Sequence, residues 1–476
     1  MKGQSVGYRD LREWVRQVDE MGELLRIDGV DWNLEIGALS EVAGRGSTSQ
    51  AILFDRIKDY PAGFRVLVGM VESLKRAALT TNLPTDINRN EFIAAWKERL
   101  NNPTLIPPKY VDHGPVTENV YTGKEIDILK LPVPKWHERD GGRYVGTAHV
   151  VVTQDPEEGW INLGVYRVMV HDRDRLALYI SPGKHGRIHR QKSFDMGKPL
   201  KVAISFGQDP LLFLMASRAL PWGTQEFDFA GGIKGEPIEV IRGEFTGLPI
   251  PAASEAAIEG EVMPEELQEE GPFGEWTGYY ASGERKEPVL RVKSFMHRND
   301  PIITGFPPIR PLPGADSCSS LIRAAFIWDS LDKAGVPDVS GVASYQNRFF
   351  TVVSIKQRYP GHAKQAAIIA SQCLTGAYLG RYVVVVDEDI DIADINDVLW
   401  AICTRTDPEK SIDILRRCWS GPLDPIIPRA DKGLNSRAII DACRPYEWAA
   451  DFPPVSGASK ELKQKVLEKF ASYLKK

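Results

Sequence analysis

INLGVYRVMVHD, residues 161–172, governs how the fold of this chain is read. Its β-branched and apolar residues form a strand pattern. Two polar side chains interrupt it, Asn162 and Arg167. On a regular strand, positions an odd number apart face opposite sides of the sheet, so the two diverge unless Gly164 introduces a bulge that re-aims one of them. An arginine set in an apolar strand requires a carboxylate partner or a bound anion.

The segments around it repeat the texture. RYVGTAHVVVTQD (143–155), RLALYIS (175–181), LKVAISFG (200–207) and PVLRVKSFMHR (288–298) are further strand-like runs broken by turn residues. They predict a sheet-rich or barrel domain over 116–300. Before it, DLREWVRQVDEMGELLRI (10–27) has helical spacing at Leu11, Trp14, Val15, Val18 and Met21, followed by the strand-like AILFDRI and RVLVGM, so 1–115 reads as an α/β domain. Prolines 107, 108, 115, 132 and 134 make the connection extended. After it, helical SLIRAAFIWDSLDKAG, HAKQAAIIASQCLTG and DINDVLWAICTRT alternate with strand-like RFFTVVSIK and RYVVVVDEDIDI, giving a second α/β domain over 301–476. The chain closes on a serine-capped helix, SKELKQKVLEKFASYLKK, with an apolar stripe of Leu462, Val466, Phe470 and Leu474 that favours self-association.

Composition narrows the function. The chain has 476 residues, 43% of them hydrophobic, enough for several cores. Its 64 acidic and 59 basic residues leave a net charge of −5, which argues against nucleic acid and for a small-molecule ligand. The five scattered cysteines lack C-x-x-C pairing, and neither a signal core nor a membrane-length apolar run is present, so a cytoplasmic protein is expected.

The chemistry gathers in the middle. His185 lies in SPGKHGR (181–187), a glycine-rich turn, and Glu226 in GTQEFDFAGGIKGEP (223–237). Asn162, His185 and Glu226 together are a mainly hard donor set, suited to Mn²⁺ or Mg²⁺ with a phosphate completing the shell. A hydrogen-bonding loop histidine and a turn-capping asparagine are the plainer alternatives. EEGPFGEW (269–276) holds Glu270 and Glu275 on a loop that Pro272 and two glycines keep from being helical; taken alone it is a solvated turn or a paired-acid site.

Four segments, KLPVPKWHERDGGRY (130–144), INLGVYRVMVHD, EFDFAGGIKGEP and EEGPFGEWTGYY, followed by VVDEDIDIADINDVLWA (385–401), resemble the UbiD family of prenylated-FMN-dependent decarboxylases. The likeness spans almost the whole chain. It implies a multidomain α/β fold with a central split β-barrel of flavin-reductase type. It further implies that Asn162, His185 and Glu226 hold Mn²⁺ (or Mg²⁺) anchoring the phosphate of prenylated FMN, with K⁺ nearby, and that Arg167, Glu270 and Glu275 are catalytic. Val165, Tyr166, Arg167, Val168, Met169, Lys184 and Ser217 fall where relatives contact the cofactor, and Ile322 and Cys443 border the ring system or substrate. A flavin prenyltransferase would supply the cofactor, and a homodimer or homohexamer is expected.

Such a cofactor has a physical reason. Loss of CO₂ from an sp² carbon leaves electrons orthogonal to the π system, which side chains cannot delocalise. Arg167, paired with Glu270, would steady cofactor and substrate carboxylate, and Glu275 would return the proton. Three departures from the family pattern stand out: Asn396 where some relatives carry a lysine near the cofactor, and the large Tyr166 and Arg218 compared with cinnamate-type members. A bulkier, more polar wall favours a flat aromatic or heteroaromatic acid of the hydroxybenzoate, pyrrole, furan, indole or phenazine type. Cinnamic or acrylic acids, the ubiquinone-precursor acid, and a non-decarboxylating flavoprotein of the same barrel are the alternatives, and the reaction is reversible in principle.

Overall fold

A computed structural model describes residues 7–44, 50–218, 220, 223–310 and 314–474, apart from the side chains of residues 429, 460, 472 and 474. Near the N-terminus, helix α1 (Leu11–Glu20) buries Leu11, Trp14, Val15 and Val18, and Asp10 caps it through the Glu13 amide at 3.0 Å. Strands β1 (Leu24–Asp28), β2 (Ala51–Asp55) and β3 (Arg65–Val68) pair behind it, and α2 (Arg89–Asn101) starts from a capping box between Asn88 and Glu91.

Eight strands of the middle region follow: β4 (Arg143–Gly146), β5 (Val150–Gln154), β6 (Ile161–Gly164), β7 (Val168–Val170), β8 (Arg175–Leu178), β9 (Leu200–Phe206), β10 (Ala256–Glu270) and β11 (Arg285–His297). They pair in the order β4-β7-β8-β11-β10-β9-β5-β6, with Asn119–Thr122 added against β11. The paired neighbours within this sheet run antiparallel.

This order forces curvature. β6 and β7 are joined by residues 165–167 alone, a link of roughly 14 Å at full stretch. In a flat sheet they would stand six strand spacings apart, roughly 29 Å. The sheet therefore curls until its ends approach, giving the half-barrel of a flavin-reductase-like domain. The single bulged strand expected at 161–172 is instead two strands, the last and the second in the sheet order. The chain crosses the barrel seam between Asn162 and Arg167, so Asn162 bonds Tyr166 while Arg167 bonds the two acids.

Three helices lie among these strands, α3 (His185–Asp195), α4 (Pro210–Ala216) and α5 (Glu226–Lys234). Beyond the barrel, β12 (Ile302–Gly305) returns to the N-terminal sheet and pairs in parallel with β3. Helix α6 (Cys318–Lys333) then leads to strands β13 (Val339–Tyr345), β14 (Phe350–Ile355), β15 (Tyr382–Asp387), β16 (Ile412–Trp419) and β17 (Leu434–Ala442), with α7 (His362–Gln372) crossing between β14 and β15. Parallel pairs β14-β15 and β15-β17 form the centre of that sheet. β16 and β17 have no counterpart in the sequence reading; in β16, at the sheet edge, the pattern "IDILRRCW" mixes exposed charges with apolar residues.

One apolar core joins all parts: Trp14, Leu163, Met215, Ile322 and Val353 belong to it. A second, holding Tyr144, Tyr166, Val168, Met169 and Phe273, fills the other face of the barrel. The seam residues thus lie where the two cores meet. The C-terminal helix α8 (Lys460–Lys469) has Ser459 as its cap and leaves Leu462, Val466 and Phe470 exposed, while the side chain of Leu474 lies outside the described residues. Among the described residues no helix is long and apolar enough to cross a membrane.

Candidate active site

The acidic loop is not a solvated turn. Glu270 closes β10 with 0% exposure, Glu275 retains 7%, and Arg167 on the seam retains 9%. The Arg167 guanidinium donates from Nε to Glu270 Oε1 at 2.7 Å and from Nη2 to Glu270 Oε2 at 2.6 Å, and Nη1 bonds Glu275 Oε1. Its face lies 4.5 Å from the Tyr179 ring centroid and 5.6 Å from that of Phe273. Tyr144 donates its hydroxyl to Glu270 Oε1 at 3.2 Å and packs on Phe273. The arginine expected to hold one acid holds both.

Their environments differ. Glu270 receives the two-pronged contact and the tyrosine. Burial raises the pKa of Glu275; Arg167 opposes the rise and Glu270 adds to it. Glu270 is thus the more firmly anchored of the two, and Glu275 is disposed to carry a proton.

Buried polar contacts fix the loop in place. Asp140 accepts from the Gly274 amide at 3.0 Å and from the His137 amide at 3.0 Å, and the Gly141 amide donates to Pro272 O at 2.8 Å. Gly141 runs so close that a Cβ there would lie 2.0 Å from Gly271 O, and Gly271 itself has φ of +91°, followed by a cis bond to Pro272. Beyond it, the Glu275 amide donates to Tyr279 O at 3.0 Å.

A second polar group forms on the other side of the seam. The Tyr166 hydroxyl accepts from Asn162 Nδ2 at 3.2 Å and from the Gly186 amide at 3.2 Å. Cβ atoms on Gly164 and Gly186 would fall 2.2 and 2.8 Å from its ring, so both glycines make room for the phenol. Glu226, buried at the first position of α5, accepts from the Leu163 amide at 2.9 Å. His185 opens α3, not a turn, with Lys184 at its N-cap, and its ring stands 5.0 Å from that of Trp160. Burial pushes Glu226 up to about 7, against the pull of Leu163, and lowers His185, with Lys184 adding to that. A sealed carboxylate with one amide for company, an amide oxygen and an imidazole depressed toward its neutral form fit a hard divalent cation.

The remaining sequence candidates scatter more. Val168 and Met169 are buried in the barrel and Val165 packs on the neighbouring core. Ser217 caps α4 and donates its hydroxyl to Leu214 O at 2.7 Å. Ile322 is sealed in α6, and Cys443 is buried after β17 with its amide on Asp441 Oδ1. Asn396 is exposed in the first turn of a C-terminal helix and donates to Asp394 at 3.1 Å. Its contacts are within its own cap. Sequence reasoning missed Tyr144, Tyr179 and Asp140, which touch Arg167, Glu270 or the loop. Asp140 and Tyr144 both stand in the quoted KLPVPKWHERDGGRY segment, whereas nothing in the sequence marks Tyr179.

Comparison with known proteins agrees with this architecture. Family models described as the N-terminal, Rift-related and C-terminal domains of 3-octaprenyl-4-hydroxybenzoate carboxy-lyase match residues 15–96, 109–311 and 317–442. A pyrrole-2-carboxylic acid decarboxylase of Pseudomonas aeruginosa is 30% identical, covering 98% of each chain. Vanillic acid decarboxylase of Sedimentibacter hydroxybenzoicus in its open form superposes with a TM-score of 0.85 at 29% identity, covering 98% of this chain and 100% of the other. An evolved dimeric form of the UbiD-class enzyme HmfF from Pelotomaculum thermopropionicum, in complex with prFMN, gives 0.81 at 28%, with coverage of 98% and 100%. With three domain models in register and full-length relatives of one reaction class, the chain belongs to the UbiD family of carboxy-lyases.

Proposed function

We propose that this enzyme removes the carboxyl group of an aromatic or heteroaromatic acid, with Glu275 returning the proton and prenylated FMN as cofactor. The observation that carries the reading is the buried Glu270–Arg167–Glu275 array at the barrel seam. Asn162, His185 and Glu226 would hold a divalent ion, Mn²⁺ or Mg²⁺, against the cofactor phosphate, with K⁺ close by, and Val165 to Met169, Lys184, Ser217 and Ile322 would border the cofactor. When bound, the modified flavin supplies an electron sink for the pair left by CO₂.

The residues of the chain do the rest. Arg167, immobilised by Glu270, orients the substrate carboxylate without rotamer loss at the moment of reaction. The carbon–carbon bond breaks, CO₂ leaves, and the proton on a Glu275 oxygen passes to the ring carbon. Dry surroundings serve that step twice: they raise the proton affinity of Glu275, and they exclude water as a competing proton source. The exposed apolar stripe of α8 supports assembly into a homo-oligomer, a dimer or a hexamer.

The test is direct. Protein co-produced with a flavin prenyltransferase is offered a panel of ring acids and acrylic acids, and CO₂ release is measured. Release from ring acids is the expected result; release from cinnamic-type acids alone, or from none, would overturn the reading.

A further inference from the structure

A layer of buried side chains lies behind Asn162 and His185 and has no part in the chemistry described above. Thr153 on β5 is the cross-strand partner of Asn162 on β6, and its Oγ1 accepts from Asn162 Nδ2 at 3.5 Å. The same hydroxyl lies 3.0 Å from His189 Nδ1. His189 follows His185 by one turn of α3, which puts both imidazoles on one helix face. Trp160 stands between them, its ring 5.0 Å from that of His185 and 5.2 Å from that of His189, edge to face with both. On the far side His189 Nε2 is 3.8 Å from Asp155 Oδ2. Asp155 in turn accepts from the amides of Glu157 and Glu158 at 2.9 and 3.0 Å and from Lys192 Nζ at 2.8 Å. Thr153 and His189 are 0% exposed and Asn162 2%, so these groups must satisfy one another.

The direction of each bond follows from its neighbour. Burial lowers the His189 pKa to about 4, against the pull of Asp155, so the ring is neutral and carries one proton. The Asp155 carboxylate favours that proton on Nε2, which leaves Nδ1 as an acceptor. Thr153 has a single hydroxyl proton, and Nδ1 takes it. Toward Asn162 the hydroxyl can then only accept. An amide carries donors on one side and a carbonyl on the other, so Nδ2 turns to Thr153 and to the Tyr166 hydroxyl at 3.2 Å, and Oδ1 is left on the opposite side. Were the Thr153 proton free, it could be donated to Asn162 instead, and the amide would turn over at little cost.

A hard cation takes the oxygen of an amide and not its nitrogen. We propose that Thr153 and His189, backed by Asp155, are positioning residues that fix the Asn162 amide with its oxygen available to the cation. This rests on the cradle of Asn162, His185 and Glu226 proposed above. Trp160 ties the His185 ring to the same layer, so two of the three cradle residues are oriented from one place. A carboxylate at position 162 would need no such help, since both of its terminal atoms are oxygens.

Mn²⁺ titrated into the full-length protein in the presence of FMN, with the EPR signal of free Mn²⁺ as the readout, tests this. Thr153→Val keeps the shape and loses the hydroxyl, and His189→Leu frees the Thr153 proton. Each is expected to weaken Mn²⁺ binding about tenfold or more, the scale on which partners of metal ligands act, whereas Thr153→Ser should bind as the wild type does. In an Asn162→Asp background the same two substitutions should cost about twofold or less, a rescue that a loss of packing alone would not show. Wild-type Mn²⁺ affinity in both single variants, or an undiminished loss in the Asn162→Asp background, overturns the inference. Melting temperatures accompany each titration: if Thr153→Val does not fold, His189→Leu decides, and unfolding of both that Asn162→Asp does not relieve assigns the layer to stability and overturns it equally. No Mn²⁺ binding by the wild type sinks the cradle and this inference with it, whereas loss of binding in Glu226→Ala but not in Thr153→Val or His189→Leu leaves the cradle standing and removes only the positioning role.

Discussion

Arg167 grips both oxygens of Glu270, at 2.7 and 2.6 Å, while its remaining terminal nitrogen bonds Glu275. One guanidinium thus stands between two carboxylates that lie five positions apart on the same loop and are almost wholly buried. Such an array is expensive to dehydrate and costly to break singly, so each member can be probed by what its loss leaves behind.

Glu275→Gln preserves size and hydrogen bonding but cannot release a proton to carbon. It should purify with flavin bound and lose turnover by about 10²-fold or more, the scale of general acid catalysis. CO₂ release and flavin absorbance, measured on one sample, check this. The pH profile adds a sign: a donor must be protonated, so wild-type kcat/KM should fall as pH rises through the elevated pKa of Glu275. The residual rate of the glutamine variant should lack that limb.

Glu226→Ala should fold and purify with little bound flavin, because the buried carboxylate next to the Leu163 amide is the anionic member of the proposed metal cradle. Chelation of the wild type should release flavin likewise, and added Mn²⁺ should restore occupancy only where Glu226 is present. Equal occupancy in the alanine variant would remove the assignment.

Gly141→Ala tests the loop support alone. Its new Cβ would meet Gly271 O at 2.0 Å, a backbone atom that cannot swing aside. The expected loss is about 1–3 kcal/mol of stability, as for other overpacked sites, with turnover reduced and flavin retained. Denaturant melts and bound-flavin ratios separate this outcome from a cofactor defect.

His149 sets an acid limit. It is fully buried, and burial drives its pKa down to about 3, against the pull of the Tyr166 main chain. Because the folded pKa lies below the unfolded value near 6.5, the unfolded chain binds the proton first, and stability present above about pH 6.5 drains away as pH falls toward 3. His149→Leu should flatten that part of the stability curve, read as melting temperature between pH 7 and 4.

Much of this was legible before folding. Local preference is written in neighbouring residues: the strand runs of 143–207, the capped helices, and a loop that Pro272 and its glycines keep out of a helix all follow from short-range sterics. Motif identity at Asn162, Arg167, Glu226, Glu270 and Glu275 carried the family. By itself the sequence determined which residue types the site would use and which segments would bear them. Only the tertiary structure decided that β6 and β7 sit six strands apart in a curled sheet, that Arg167 serves both acids, and that Tyr144 and Tyr179 complete its walls. The reason is that strand order is a non-local choice: the 165–167 crossing reads locally as one continuous strand, and its direction is settled by which distant edges close on each other to bury two cores.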